Sequence, residues 1–178
     1  MNATISNDPS RPAADRQLPP ADQRPASEPL AALRAPPKKI LLVDDDASVR
    51  EMLGRVLKSE HYEVILARDG NEAAAKFLSR RPHLVLLDLN MPERDGWSAF
   101  RFMEAAQPLL PVILITARAD QYSQAENLGV DALMEKPLDL SVLLEAIEKM
   151  LAEPKAARFE RLNHPQFKTA RLSSPKAL

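Results

Sequence analysis

Four strand-like segments of this chain each end in a side chain that can do chemistry. Ile40-Leu41-Leu42-Val43 runs into Asp44-Asp45-Asp46, Leu84-Val85-Leu86-Leu87 into Asp88, Val112-Ile113-Leu114-Ile115 into Thr116, and Val130–Glu135 into Lys136-Pro137. Gathered in one crevice, the carboxylates of Asp44, Asp45 and Asp88 repel one another, by about 4 kcal/mol per pair at a separation of about 4 Å and an effective dielectric of about 20. Lys136 supplies one compensating charge, and a divalent cation would supply the rest. Hard carboxylate oxygens without His or Cys suit Mg²⁺, which keeps several waters and often bridges to phosphate. An aspartate beside such an ion, a hydroxyl and a lysine is equipped to attack phosphorus and to hold the phosphoryl group that results. Taken singly, each feature has a plain explanation: a run of aspartates favours a helix start, Asp88 a turn, Thr116 a strand, Lys136 a solvated charge. Their occurrence together at four strand ends points to a site.

The elements that must position these groups follow from apolar spacing. The aliphatic runs are apolar on consecutive positions, as strands covered on both faces are. Val49, Met52, Leu53, Val56 and Leu57 recur at helical spacing, with Asp46 as N-cap. Tyr62–Ala67 reads as a second strand and Glu72–Arg80 as a helix. The loop Asn90-Met91-Pro92-Glu93-Arg94-Asp95-Gly96 leads to a helix whose Trp97, Phe100 and Met103 belong to the core. A polar helical stretch runs from near Arg118 to Leu128, closed by Gly129 as C′ residue. The last helix presents Leu140, Leu143, Leu144, Ile147, Met150 and Leu151, capped by Asp139 and stapled by Leu138. Five strand–helix units in alternation imply an α/β fold, a doubly wound five-stranded parallel sheet with helices on both faces. Function in such sheets collects beyond the carboxyl ends of the strands.

The chain has 178 residues, 45% of them hydrophobic and only 4% aromatic, with a formal net charge of −1. It holds no cysteine, which excludes disulfides, thiolate metal sites and cysteine nucleophiles. His61, His83 and His164 lie far apart, which excludes the paired-histidine zinc motifs; His83, at the start of strand three, reads as structural. No apolar run approaches the roughly 20 residues of a membrane helix, and no secretory signal opens the sequence. A cytoplasmic protein without a membrane segment is expected. Residues 1–37 hold 8 of the 16 prolines and no glycine, the composition of a disordered arm. Residues 38–151 form the folded block, with a net charge of −5, and residues 152–178 a basic tail with a net charge of +4. The tail reads as a solvated terminus, although its charge would let it dock on the acidic block. It lacks the density of basic residues and the aromatic interleaving of a nucleic-acid segment.

From Lys38 to Leu151 the ordered motifs Ile40–Asp46, Leu84–Gly96, Val112–Ala117 and Lys136-Pro137 resemble the receiver domain of response regulators of two-component signal transduction, the CheY-like family. The resemblance implies the flavodoxin-like strand order 2-1-3-4-5, for which the CheY fold is itself the standard example. It further implies that Asp88 is the phosphoacceptor, and that Asp44, Asp45 and Asp88 hold Mg²⁺ with the main-chain carbonyl of Asn90. Thr116 would bond the phosphoryl oxygen and move on activation, and Lys136 would pair with the phosphoryl group. Pro137 would follow a cis bond, and Ala117 would leave the site open. Asn90 and Arg118 would occupy positions that tune phosphoryl lifetime. The implied partner is a sensor histidine kinase or phosphotransfer protein, the chain being a monomer or weak dimer that catalyses only its own phosphorylation and dephosphorylation.

One position departs from the family: three residues before Lys136, where most receivers carry Tyr or Phe, stands Leu133. Leucine cannot exchange a buried for an exposed hydrogen-bonding pose, so the Thr116 movement is expected to be read through the loop after strand four. The 27-residue tail is too short for a DNA-binding or catalytic output domain, leaving output to a downstream protein partner or to a longer parent chain. Two other functions compete. A haloacid-dehalogenase-like phosphatase would use Asp44, with Asp46 two residues on, but wants a further acidic pair past the lysine, where Asp139 stands alone. A phosphate-independent receiver scaffold would not need the full acceptor set.

Overall fold

The computed structural model of the chain describes residues 36–91 and 96–173. The arm expected over residues 1–37 therefore lies outside the described residues except for its last two positions, as does the loop segment 92–95. Strands β1 (Lys39–Val43), β3 (Leu84–Asp88) and β4 (Val112–Thr116) are the consecutive aliphatic runs, and all but Lys39 are buried. Because side chains alternate across a strand, these runs feed two cores. Leu41, Val43, Val85, Leu87, Leu114 and Leu133 face Ala73, Phe77, Trp97, Phe100, Met103 and Ala125. Ile40, Leu42, Leu84, Leu86, Ile113, Ile115 and Met134 face Leu53, Leu57, Leu143 and Ile147. The first core lies under α2 (Gly70–Arg80), α3 (Gly96–Ala106) and α4 (Tyr122–Asn127), the second under α1 (Ala47–Ser59) and α5 (Leu140–Ala152).

Helix starts follow the aspartates. Asp46, Asp69 and Asp139 each accept two amides of the following turn, those of Ser48 and Val49, Asn71 and Glu72, and Ser141 and Val142. Helix α2 thus begins two residues before the apolar pattern suggests. The polar stretch after β4 is shorter than its pattern: a 3₁₀ turn (Ala119–Gln121) precedes α4, and Gly129 takes a φ of +68°. The Lys136–Pro137 bond is cis. His83 accepts the Lys39 amide at 2.8 Å, at the end of the sheet away from the strand carboxyl ends.

All strands are parallel, β2 (Glu63–Ala67) and β5 (Ala132–Glu135) included, in the order β2-β1-β3-β4-β5-β6. The sheet has six strands rather than the expected five. The extra one comes from the tail read as a solvated terminus: after α6 (Lys155–Leu162), β6 (Ala170–Leu172) pairs with β5. Ala-Arg-Leu has no aliphatic run to announce a strand, and its neighbours specify it instead. The Ala170 amide donates to the Asp131 carbonyl at 2.9 Å, and Thr169 Oγ1 to the Val130 carbonyl at 2.8 Å. The tail's basic residues meet acidic ones, Arg158 and Arg161 on Asp131 and Glu153, and Arg171 on Glu135. Among the described residues, no helix is long and apolar enough to cross a membrane.

Leu133 is wholly buried, its side chain in the core beneath α2, α3 and α4. Leu133→Ala should lower stability by about 2–5 kcal/mol, the range for truncating a buried leucine, as denaturant unfolding would show. A loss below about 0.5 kcal/mol, within the scatter of surface substitutions, would contradict a packing role.

Candidate functional site

Strand register decides where the reactive groups meet. Val43 pairs with Leu87, Asp88 with Ile115, and Thr116 with Glu135. Asp44, Asp88, Thr116 and Lys136 therefore leave four adjacent strands at one level. Carboxylate oxygens of Asp44, Asp45 and Asp88 all lie within 4.8 Å of one another, with Asp44 and Asp88 buried and Asp45 exposed. This all-oxygen donor set, open on the Asp45 side, fits a hard divalent cation such as Mg²⁺.

Each buried carboxylate is fixed at both oxygens. Asp44 Oδ1 accepts the Asp46 amide at 2.8 Å and Asp88 Oδ1 the Asn90 amide at 2.9 Å. The other oxygens receive Lys136 Nζ, at 3.2 Å from Asp44 and 2.7 Å from Asp88. Burial, and then the neighbouring charge of Asp88, push the Asp44 carboxyl above its ordinary range, against the opposing pull of the Asp46 amide and Lys136. Burial alone would lower the Lys136 ammonium, but the hydrogen bond and charge of Asp88, joined by Asp44, outweigh it and hold it above its usual value.

An ionised carboxyl whose folded-state proton affinity is raised costs stability above its unfolded value, and that cost disappears as pH falls through the folded value. Asp44→Asn should therefore raise stability at neutral pH in chelator by about 0.5–2 kcal/mol. The gain should shrink when Mg²⁺ is added, since the ion stabilises only the chain that binds it. Thermal melts of both proteins with and without Mg²⁺ would check this; a loss of stability in chelator would show that Asp44 is a net structural support.

Thr116 Oγ1 is hydrogen-bonded to Asn90 and to the start of the loop after β4. It donates to Asn90 Oδ1 at 3.0 Å and accepts the Arg118 amide at 3.0 Å, while the Ala117 amide donates to the same Asn90 oxygen at 2.8 Å. The Asn90 side chain thus ties the end of β3 to the loop after β4, a contact its sequence position did not reveal. Two further contributors were not read from the sequence. Arg50 Nη1 donates to the Asp44 carbonyl at 2.6 Å, four residues beyond the helix cap with nothing in the pattern to mark it. Gly96 starts α3 so close to β3 that a Cβ would lie 2.6 Å from the Asp88 carbonyl oxygen and 2.8 Å from Leu89 Cα. A glycine ending a polar loop was the available signal. Asp46 Oδ1 is spent on the amides of Ser48 and Val49 at the start of α1.

The sequence matches the model of the response regulator receiver domain over residues 40–148. It is 39% identical over 117 residues to the response regulator MprA of Mycolicibacterium vanbaalenii, covering 65% of this chain and 51% of that protein. It is 36% identical over 127 residues to the transcriptional regulatory protein GlrR of Escherichia coli, covering 70% of this chain and 29% of that one. The chain thus spans about half or less of the length of these curated relatives. Among solved structures it resembles a CheY-like receiver domain protein from Methanospirillum hungatei, with a TM-score of 0.62 and 31% identity, covering 65% of this chain and 94% of that one. It also resembles the response regulator TrrA of Thermotoga maritima in complex with Mg²⁺-BeF, with a TM-score of 0.60 and 33% identity over 64% of this chain and 98% of that one. With the motif order, the parallel sheet and the aspartate cluster in agreement, the chain belongs to the response regulator receiver domain family.

Proposed function

We propose that this chain is a phosphorylation-controlled signalling module that accepts a phosphoryl group on Asp88 from a sensor histidine kinase or phosphotransfer protein and signals through protein contacts. The observation that carries the reading is Asp88 itself. It is buried, held at one oxygen by the Asn90 amide and at the other by Lys136, and beside two further carboxylates.

A carboxylate oxygen of Asp88 attacks the phosphorus of a phosphohistidine; the O–P bond forms as the P–N bond breaks, and its electron pair leaves with the imidazole nitrogen. Asp44, Asp45, Asp88 and the main-chain carbonyl of Asn90 would hold Mg²⁺. That ion supplies Lewis-acid polarisation of the phosphoryl oxygens and offsets the carboxylate repulsion. Lys136, already on Asp88, pairs with the arriving negative charge, and Thr116, one residue past the register partner of Asp88, would donate to the phosphoryl group in place of Asn90. Water later hydrolyses the acyl phosphate. The TrrA structure, that of a response regulator in complex with Mg²⁺-BeF, supports the choice of ion. On this reading the receiver proper spans residues 38–151 and acts in the cytoplasm, where kinase domains present their phosphohistidine. The output partner lies with another protein or with parts of a longer chain.

The dehalogenase-like alternative needs Asp46 in the crevice, and Asp46 caps α1 instead. The test is phosphotransfer from a panel of autophosphorylated histidine kinases to the purified chain. The expected result is label transfer from at least one kinase that excess chelator suppresses; undiminished labelling in chelator would overturn the metal assignment, and no transfer from any kinase or from acetyl phosphate would overturn the reading.

A further inference from the structure

The receiver match ends at residue 148, and the segment beyond it packs on the β5 edge in a way that leads back to the reactive site. Thr116 stands at the start of two routes to β6. Along the loop, Arg118 donates its amide to Thr116 Oγ1 and opens the 3₁₀ turn, whose Gln121 is held by Trp97 Nε1 at 2.9 Å. The next residue, Tyr122, donates its phenol to the Thr169 carbonyl at 2.6 Å, and its ring lies 4.9 Å from the Arg171 guanidinium. Across the sheet, Thr116 pairs with Glu135, which ion-pairs with Arg171 at 2.8 Å.

Thr116 has one hydroxyl proton, now given to Asn90. Turning that proton to a group on Asp88 gives up the Asn90 contact and disturbs the acceptor of the Arg118 amide, so the loop leading to Tyr122 must adjust. β6 is the element placed to yield. It has three residues, two of them exposed, at the outer edge of the sheet, whereas α6 is anchored by the buried Arg158–Asp131 pair.

We propose that β6 is a clasp on the α4–β5 edge that holds the Thr116 loop in its resting position, so that filling the Asp88 site with a phosphoryl group loosens β6 and loosening β6 strengthens that filling. The proposal rests on the phosphoryl-acceptor role of Asp88. The two effects are one coupling free energy seen from its two ends, and it exists only because the clasp interacts differently with the two loop positions.

The experiment uses the full chain with Mg²⁺ and beryllium fluoride as the phosphoryl probe. Saturation is followed by the Ala117 amide resonance and clasp opening by hydrogen exchange of the Ala170 amide. Losing one polar contact between clasp and loop corresponds to roughly a threefold to tenfold change. At saturation the Ala170 amide should exchange faster by about that factor, while the Arg158 amide within α6 stays as protected as before. Tyr122→Phe, which keeps the ring under Arg171 but removes the donor to Thr169, should bind the probe about threefold to tenfold more tightly than the unaltered chain. Arg171→Gln, an exposed change that leaves the core untouched, should act in the same direction. Unchanged or slower exchange at Ala170 under saturation, or unaltered probe affinity in both variants, would overturn the clasp while leaving the acceptor site standing. Failure of the unaltered chain to bind the probe at all would instead overturn the acceptor reading, and the clasp with it.

Discussion

Asp88→Asn should take up no phosphoryl group from acetyl phosphate or from a competent kinase, with labelling at least about 10³-fold below that of the unaltered chain, as expected when a nucleophile is removed. Asparagine keeps the side-chain shape and one oxygen for the Asn90 amide, but its amide nitrogen is not a nucleophile and no longer attracts Lys136. The fold should survive, so the loss reports chemistry. Neighbouring substitutions separate the roles. Asp45→Ala removes the exposed member of the carboxylate cluster and should weaken Mg²⁺ binding sharply. Lys136→Ala should leave metal binding largely intact and impair the response to phosphorylation. Mass spectrometry of the labelled chain should place a single phosphoryl group on Asp88. Full labelling of Asp88→Asn together with none of Asp44→Asn would transfer the nucleophile to Asp44 and revive the dehalogenase-like reading.

The second large effect is expected far from the crevice. Asp131 and Arg158 are both buried. Asp131 Oδ2 accepts from Arg158 Nη2 and from the Val112 amide, and Oδ1 from Arg161 Nη2 at 3.0 Å. Arg158 Nη2 also donates to the Leu110 carbonyl at 3.0 Å. Arg161, gripped by Glu153 and Asp131, is held well above the ordinary guanidinium value. Removing Arg158 leaves the buried Asp131 carboxylate with the more exposed Arg161 as its remaining counter-charge, so Arg158→Ala should cost about 3–5 kcal/mol. Against a total stability of about 5–15 kcal/mol for a typical domain, that is a large fraction. Ending the chain after Leu151 removes Arg158 and Arg161 together and should be at least as damaging. Denaturant unfolding measures the loss. Adding Asp131→Asn to Arg158→Ala should recover part of it, because the buried and under-compensated charge is gone, and a cycle without coupling would show that the pair contributes nothing specific.

Much of the architecture was written in consecutive residues. The aliphatic runs at 40–43, 84–87 and 112–115 could be buried on both faces only as inner parallel strands, and aspartates 46 and 139 marked helix starts because a short carboxylate satisfies amides that a helix cannot. The reactive set was legible for the same reason: a charged or hydroxyl residue that ends a buried run must sit at a strand end, and strand ends in such a sheet converge. The resemblance supplied the strand order and the roles expected of Asp88, Thr116 and Lys136.

What the sequence could not show depends on contacts between distant segments. β6 has no apolar signature, since an edge strand of three residues is specified by the Asp131 and Val130 carbonyls and by Glu135, all more than thirty positions away. The basic tail looked like a solvated terminus because a charge run carries no record of its partners; burial of Arg158 becomes tolerable only where the fold presents Asp131. Asn90 as a tie between β3 and the Thr116 loop, and Gly96 as the spacer that lets α3 approach Asp88, likewise exist only once the strands are in register. Local pattern thus determined which elements form and which groups end them. Tertiary structure decided what holds each of those groups and which distant charges neutralise one another, because hydrogen bonds and ion pairs depend on distances in space that spacing along the chain does not encode.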